Sequence, residues 1–207
     1  MAIRCIIFDF ANTLCSEYYF APLGAEFQAV VKEAIFTGKN KARWASPWCC
    51  GRLSSADVAE YLSGLTGVTP ERILAGLDEG CANLRLNPAI WRFAQAQRAQ
   101  GRQTALVTVN MDVFTRIVLP AHGFERVFDV VINSADYGTD DKNALCEIAF
   151  SRLDGCTFEN CLLIDDSPTV IDAFQARGGM TYRYTSDKAF AEWEVNRWKC
   201  LALTAPR

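Results

Sequence analysis

The chain has 207 residues, half of them apolar and 12% aromatic, with only 13 Gly and 7 Pro, so disordered, collagen-like and low-complexity chains are excluded. With 24 acidic against 21 basic side chains, a formal charge of -3 and no Lys/Arg block, the electrostatic footprint of a nucleic-acid binder is missing. No uncharged run exceeds ten residues (Tyr61 to Pro70), about half of what a membrane span needs, so a cytoplasmic protein without nucleic-acid or membrane partners is expected.

The first element is the apolar run Ala2 to Phe8, read as a strand; the stretch Ile3 to Phe10 carries Asp9 and is too short for a secretion signal. Next comes an interval of about 90 residues without a strand pattern. It reads as a helical insertion with helices over Leu23 to Phe36, Ser54 to Ser63 behind a loose capping box (Ser54/Asp57), and Pro70 to Ala82 behind Thr69. Asn87-Pro88 opens a further helix that Gly101 ends. The runs Thr104 to Val109, Phe128 to Ile132, Cys161 to Ile164 and Met180 to Tyr184 are strands, nearly all apolar as strands covered on both faces must be. Ser167-Pro168 starts a helix between the last two, and Ser186 to Lys199 is one more; Leu201 to Arg207 carries no readable signal. Strand-helix-strand at this spacing predicts an α/β fold with a doubly wound, parallel, Rossmann-like sheet.

Nine cysteines (5, 15, 49, 50, 81, 146, 156, 161 and 200) contain no CxxC pair, and His122 is the single histidine. A zinc site is therefore not expected, and the cysteines read as reduced, small hydrophobes of a cytosolic protein. His122 lies in a helix-to-strand connection with no nucleophile partner in view. Lys39, Lys41 and Arg43 read as a solvated surface, with Arg43-Trp44 the pair that would reach a cleft.

In an open parallel sheet, ligands bind beyond the carboxyl ends of the strands. The residues there are Asp9 to Leu14 after strand one, Thr108 to Asn110 after strand two, Lys142 in the loop after strand three, and Asp165-Asp166-Ser167 after strand four. Three carboxylates, a hydroxyl and an ammonium on one rim form a hard-oxygen set suited to Mg²⁺ shared with a phosphate oxygen. Taken singly, each residue has an ordinary structural explanation: a turn aspartate, a strand-end hydroxyl, a helix-start lysine, an N-cap with its neighbour. Four such explanations at one rim would be four coincidences.

Ile6 to Leu14 (IIFDFANTL), Ala105 to Thr108, Lys142, and Leu163 to Pro168 (LIDDSP) resemble, in order, the four motifs of the haloacid dehalogenase-like hydrolase superfamily. The match spans most of the chain. The interval between the first two motifs resembles that family's helical cap, and Trp48 to Ser54 a turn common in such caps, which implies a core of residues 1–14 and 88–207 and a cap of residues 15–87. The resemblance implies Asp9 as nucleophile, Mg²⁺ held by Asp9, the Ala11 carbonyl, Asp165 and Asp166, and phosphoryl oxygens bound by Thr108, Asn110 and Lys142. A small phosphorylated metabolite would be the substrate, and the protein a monomer or homodimer.

Three departures stand out. Ala11 occupies the place where the phosphatase form carries a second aspartate, the general acid and base, whose loss typically costs about 10² to 10⁴ in rate. The third motif has an extra residue before Lys142 and Asn143 where proline is frequent, and Val170 replaces a polar residue. The resemblance thus implies a phosphohydrolase weakened on alkyl esters. The alternatives are phosphonate cleavage through a cap lysine (Lys32, Lys39 or Lys41), or a lapsed member that binds a phosphorylated ligand or a protein.

Overall fold

The computed structural model describes residues 3–198. Strands β1 (Cys5–Phe8), β2 (Gln103–Thr108), β3 (Val130–Asn133), β4 (Cys161–Asp165) and β5 (Met180–Arg183) form one parallel sheet in the order β3-β2-β1-β4-β5. Each falls on an expected apolar run; β1 to β4 are almost wholly buried, as expected, whereas the edge strand β5 is half-buried with Arg183 exposed. Cys5, Ile7, Ala105, Val107 and Leu163 point into the core on one face, while Ile6, Phe8, Leu106, Leu162 and Ile164 point into the core on the other. The helices Lys142–Phe150 and Pro168–Ala176 cover the first face through Leu145, Ala149 and Phe174. The helices Pro88–Ala99 and Asp187–Trp193 cover the second, where Phe93 and Phe190 meet edge to face at 5.2 Å. This is the doubly wound α/β sheet that the pattern predicts.

Between β1 and β2 the described residues form helices and turns, with no strand in the interval. Ala25–Val31 runs on through wider π-type turns to Phe36 within the expected Leu23–Phe36 stretch, and Pro70–Ala82 falls where expected behind the Thr69 cap. Ser55–Thr66 starts on a full capping box: the Ser54 hydroxyl accepts from the Asp57 amide while the Asp57 carboxylate accepts from the Ser54 amide. The sequence gives no sign of the short helical turns Gly38–Asn40, Lys41–Ala45 and Ser46–Cys49, which are held in place by the fully buried Trp48. Where a turn is expected after Trp48, Gly51 has φ +64°, and a β-carbon there would sit 2.3 Å from the Ala135 carbonyl oxygen, so only glycine fits.

At the far end, the expected Ser186–Lys199 helix is Asp187–Trp193, capped by Ser186 and continued as wider turns to Trp198. Lys199, Cys200 and Leu201 to Arg207 lie outside the described residues, as does the Ala2 end of the first predicted strand. No helix among the described residues is long and apolar enough to cross a membrane.

Candidate active site

Strand order reverses between β1 and β4: β2 and β3 extend the sheet to one side of β1, and β4 and β5 to the other. The crevice beyond the carboxyl ends at such a switch point is the ligand site of open α/β sheets. Asp9 follows β1 and Asp165 ends β4, and the two strands run in register from Cys5 opposite Cys161 to Phe8 opposite Ile164. Carboxylate oxygens of Asp9, Asp165 and Asp166 consequently lie within 4.8 Å of one another.

Lys142 is the first residue of the helix Lys142–Phe150, the end at which the peptide dipoles disfavour a cation. It is not a solvated helix-start lysine, being 6% exposed. Its ammonium donates to Asp9 Oδ1 at 2.5 Å and stands 3.2 Å from Asp165 Oδ2. The extra residue in the preceding loop has work of its own: Asp141 caps the helix through the Asn143 and Ala144 amides, and Asp140 accepts from the Ser46 hydroxyl at 2.6 Å.

Burial and crowding set the charge of the site. Burial lifts the Asp9 carboxyl from about 3.8 to about 7; Lys142 opposes the rise and Asp165 and Asp166 add to it. Asp166, half-buried, is raised by burial and by Asp165, with the Asn12 side chain acting against it. Burial disfavours the Lys142 ammonium, yet Asp9 and Asp165 outweigh it and hold the group above its ordinary value. One cation thus faces three carboxylates.

Two buried polar atoms at the rim are unspent. Asp165 Oδ1 accepts from the Ser167 amide at 2.9 Å, but Oδ2 is near Lys142 without a hydrogen bond of acceptable geometry. The Thr108 hydroxyl, at the end of β2, is fully buried and has no partner. An orphaned buried oxygen in each of two rim residues is a cost that a ligand would remove. Three hard oxygen donors with a surplus of negative charge fit a divalent cation such as Mg²⁺.

The loop after β1 contributes backbone. Asn12 adopts φ +57°, a left-handed conformation that asparagine tolerates better than most residues, and its amide donates to the Cys15 carbonyl at 2.7 Å. Ala11 is exposed and lies with Asn12 in the wall of a cavity of about 420 Å³ beneath the helical insertion. Most of the lining is apolar or aromatic, including Phe10, Val31, Phe36, Val109 and Met111.

Asn110 also lines the cavity, but its side chain is engaged: Nδ2 donates to the Tyr19 hydroxyl at 2.6 Å and Oδ1 accepts from the Met111 amide at 3.0 Å. Arg43 and Trp44 do not line it; Trp44 stacks on Tyr61 at 3.9 Å within the insertion. His122 stacks on Phe124, with Nε2 3.4 Å from the Cys81 carbonyl oxygen. Sequence reasoning missed Asn12 and Tyr19. An Asn that could take a left-handed turn was visible beside Asp9; Tyr19 had no signal, because its place depends on the insertion folding over the rim.

The haloacid dehalogenase-like hydrolase family model matches residues 6–156. A search of curated proteins found no match. Among solved structures, a HAD-like family hydrolase from Porphyromonas gingivalis superposes with a TM-score of 0.72 at 17% identity, covering 100% of both chains. A HAD family enzyme from Bacteroides thetaiotaomicron, solved with magnesium and inorganic phosphate, gives 0.68 at 16% identity over 89% of this chain and 96% of that one. The L-2-haloacid dehalogenase of Xanthobacter autotrophicus gives 0.58 at 17% identity over 99% and 89%. At these identities the likeness is one of fold.

Proposed function

The chain belongs to the haloacid dehalogenase-like hydrolase family, and from that premise we propose that it is a Mg²⁺-dependent phosphohydrolase acting on a small phosphorylated metabolite with Asp9 as nucleophile. The observation that carries this reading is the cluster of Asp9, Asp165 and Asp166 around one buried lysine, with Asp165 Oδ2 and the Thr108 hydroxyl unsatisfied. Asp9, the Ala11 carbonyl, Asp165 and Asp166 would hold the metal, which when bound supplies positive charge to the transferring group and orients it. The magnesium and phosphate bound by the Bacteroides enzyme support that choice.

An Asp9 carboxylate oxygen attacks phosphorus in line as the bond to the leaving oxygen breaks, giving an aspartyl-phosphate that water then hydrolyses. Lys142 holds Asp9 through Oδ1 and, with the Thr108 hydroxyl, binds phosphoryl oxygens; Asn110 bears on substrate through the Tyr19 side of the cavity. Residues 1–14 and 88–207 form the catalytic core in this reading, and residues 15–87 the cap that shapes the apolar cavity. Ala11 has no proton to give, so the leaving group departs as an anion and must be a good one. An aryl or acyl phosphate with an apolar organic part meets both demands. A reducing, cytoplasmic setting belongs to the same reading, as the scattered cysteine pattern suggests.

Phosphonate cleavage is the second reading, favoured by one observation: of the three candidate lysines only Lys32 lines the cavity. It stands there exposed.

The experiment is hydrolysis of a series of aryl, acyl and alkyl phosphates, and of phosphonoacetaldehyde, with and without Mg²⁺. Aryl and acyl esters should turn over with Mg²⁺ and alkyl esters scarcely, and Asp9→Asn should abolish all turnover. In Ala11→Asp the alkyl rate should rise by up to about 10² and the dependence on leaving-group pKa should flatten. Turnover of phosphonoacetaldehyde alone, with borohydride trapping lost in Lys32→Arg, would replace the first reading by the second. Binding of phosphate without any turnover would make the protein a lapsed member.

A further inference from the structure

The opposite end of the same sheet carries a second convergent cluster. Cys5 opens β1, Cys161 opens β4, and the two are register partners on adjacent parallel strands, pointing to the same face. Cys156 comes from the turn before Phe158–Asn160, and the sulfurs of all three lie within 4.8 Å of one another. Cys5 and Cys161 are fully buried and Cys156 is 8% exposed. None of the three is in a disulfide. Four residues of strand, about 13 Å, separate them from the aspartates.

We propose that Cys5, Cys156 and Cys161 form a three-thiol binding site for one soft, thiophilic centre, and that trivalent arsenic is the centre its charge and coordination fit. Three thiolates favour soft ions over Mg²⁺. Among the described residues no histidine or carboxylate belongs to the cluster, so a tetrahedral zinc site lacks its fourth protein ligand. Charge then decides. Three thiolates around a monovalent ion leave two negative charges in a buried site and around a divalent ion one, whereas around As(III) they leave none; burying net charge is what a low-dielectric core resists.

The binding step balances without an oxidant or reductant. Arsenous acid loses three As–OH bonds, the cysteines lose three S–H bonds, three As–S bonds form and three waters leave, with arsenic and sulfur keeping their oxidation states.

Entry is through Cys156, the least buried of the three thiols. Its Sγ is held by the Asp154 carbonyl oxygen at 3.6 Å, and the Arg4 guanidinium packs against the neighbouring Gly155.

Arsenite added to the folded protein, followed by intact mass under native conditions and by thermal melting, tests the proposal. One arsenic should bind with loss of three hydrogens from the protein and a higher melting temperature. Both effects should vanish in Cys156→Ser and Cys161→Ala and persist in Cys49→Ser. The adjacent Cys49 and Cys50 are the competing dithiol, and an adduct there keeps a hydroxyl on arsenic and loses only two hydrogens. That lighter hydrogen loss, no adduct on the folded protein, or a three-hydrogen adduct persisting in Cys156→Ser would each overturn the assignment. Because the mass of the parent adduct counts the thiols directly, it decides the matter even where a variant fails to fold.

Discussion

Lys142 shows how one residue carries the charge balance of the site. Its ammonium sits between Asp9 and Asp165 at the wrong end of a helix for a cation, so the carboxylates and not the helix account for its place. Lys142→Met should leave two buried carboxylates facing each other; the loss of one partner of a buried pair costs about 3–5 kcal/mol in urea unfolding, and Mg²⁺ should restore part of it. A midpoint unchanged from the parent would mean that the pair does not bear on stability. A second expectation concerns protons. With Asp9 raised from about 3.8 to about 7, the folded protein binds more protons than the unfolded chain across that interval, so this group's contribution is full below pH 4 and is lost as pH rises through 7. Mg²⁺ competes with the same proton, and its stabilisation should grow from pH 5.5 to pH 8. Equal shifts of melting temperature at both values, or a shift that survives in Asp166→Ala, would contradict the proposed metal site. Asp9, Thr108, Asp165 and Asp166 were legible because each closes or follows an apolar run and the three strand ends that carry them share one rim. Lys142 was legible as a rim residue in the loop after the third strand and through the family motif, but its burial was not, since that depends on two strands far away in sequence.

At the scale of elements, legibility followed burial. Strands β1 to β4 are almost wholly buried and so read as apolar runs, whereas the edge strand β5 is only half-buried, and the longer helices announce themselves through Ser54, Thr69 and Ser167 at their starts. The short helical turns between Thr37 and Cys50 have neither length nor period; tertiary contact makes them, with Trp48 packed against Phe20 and Phe36. Gly80 gave no signal either, being a glycine inside a helix where propensity argues against it. The structure explains it: a β-carbon there would lie 1.8 Å from the Tyr19 carbonyl oxygen, so the Pro70–Ala82 helix packs directly on the backbone that carries Tyr18 and Tyr19 into the cavity. Gly80→Ala must therefore push that loop aside. We expect a loss of about 1–3 kcal/mol in stability and, on a substrate that turns over, a rise in KM larger than the fall in kcat, because the cavity wall moves and Asp9 does not. A kcat loss with KM unchanged would place Tyr19 in the chemistry instead of the cavity wall.

Across the whole molecule, the insertion is fastened to the sheet by both apolar and polar contacts. One continuous hydrophobic cluster runs from Phe27, Trp48 and Leu77 of the insertion to Phe8 of the sheet and to Phe93 and Phe190 of the helices that cover it. Polar links cross the same boundary: Asp112 Oδ1 accepts from Trp48 Nε1 at 2.8 Å and from the Ser55 hydroxyl at 2.6 Å, and the Ser134 hydroxyl donates to the Cys49 carbonyl at 2.6 Å. These pairs are 57 to 85 residues apart and follow no period, which is why residues 15–87 read from sequence as a separable unit while their attachment did not. A shared core of this kind predicts a single cooperative transition, with far-ultraviolet circular dichroism and tryptophan fluorescence superimposing across a urea titration. Asp112→Ala should lower its midpoint by the equivalent of about 1–3 kcal/mol, because the buried indole N–H and the Ser55 hydroxyl lose their acceptor together. If the parent instead unfolds in two steps, with Asp112→Ala shifting only the first, the insertion is a separately folding domain and its shared cluster is too weak to couple it to the sheet.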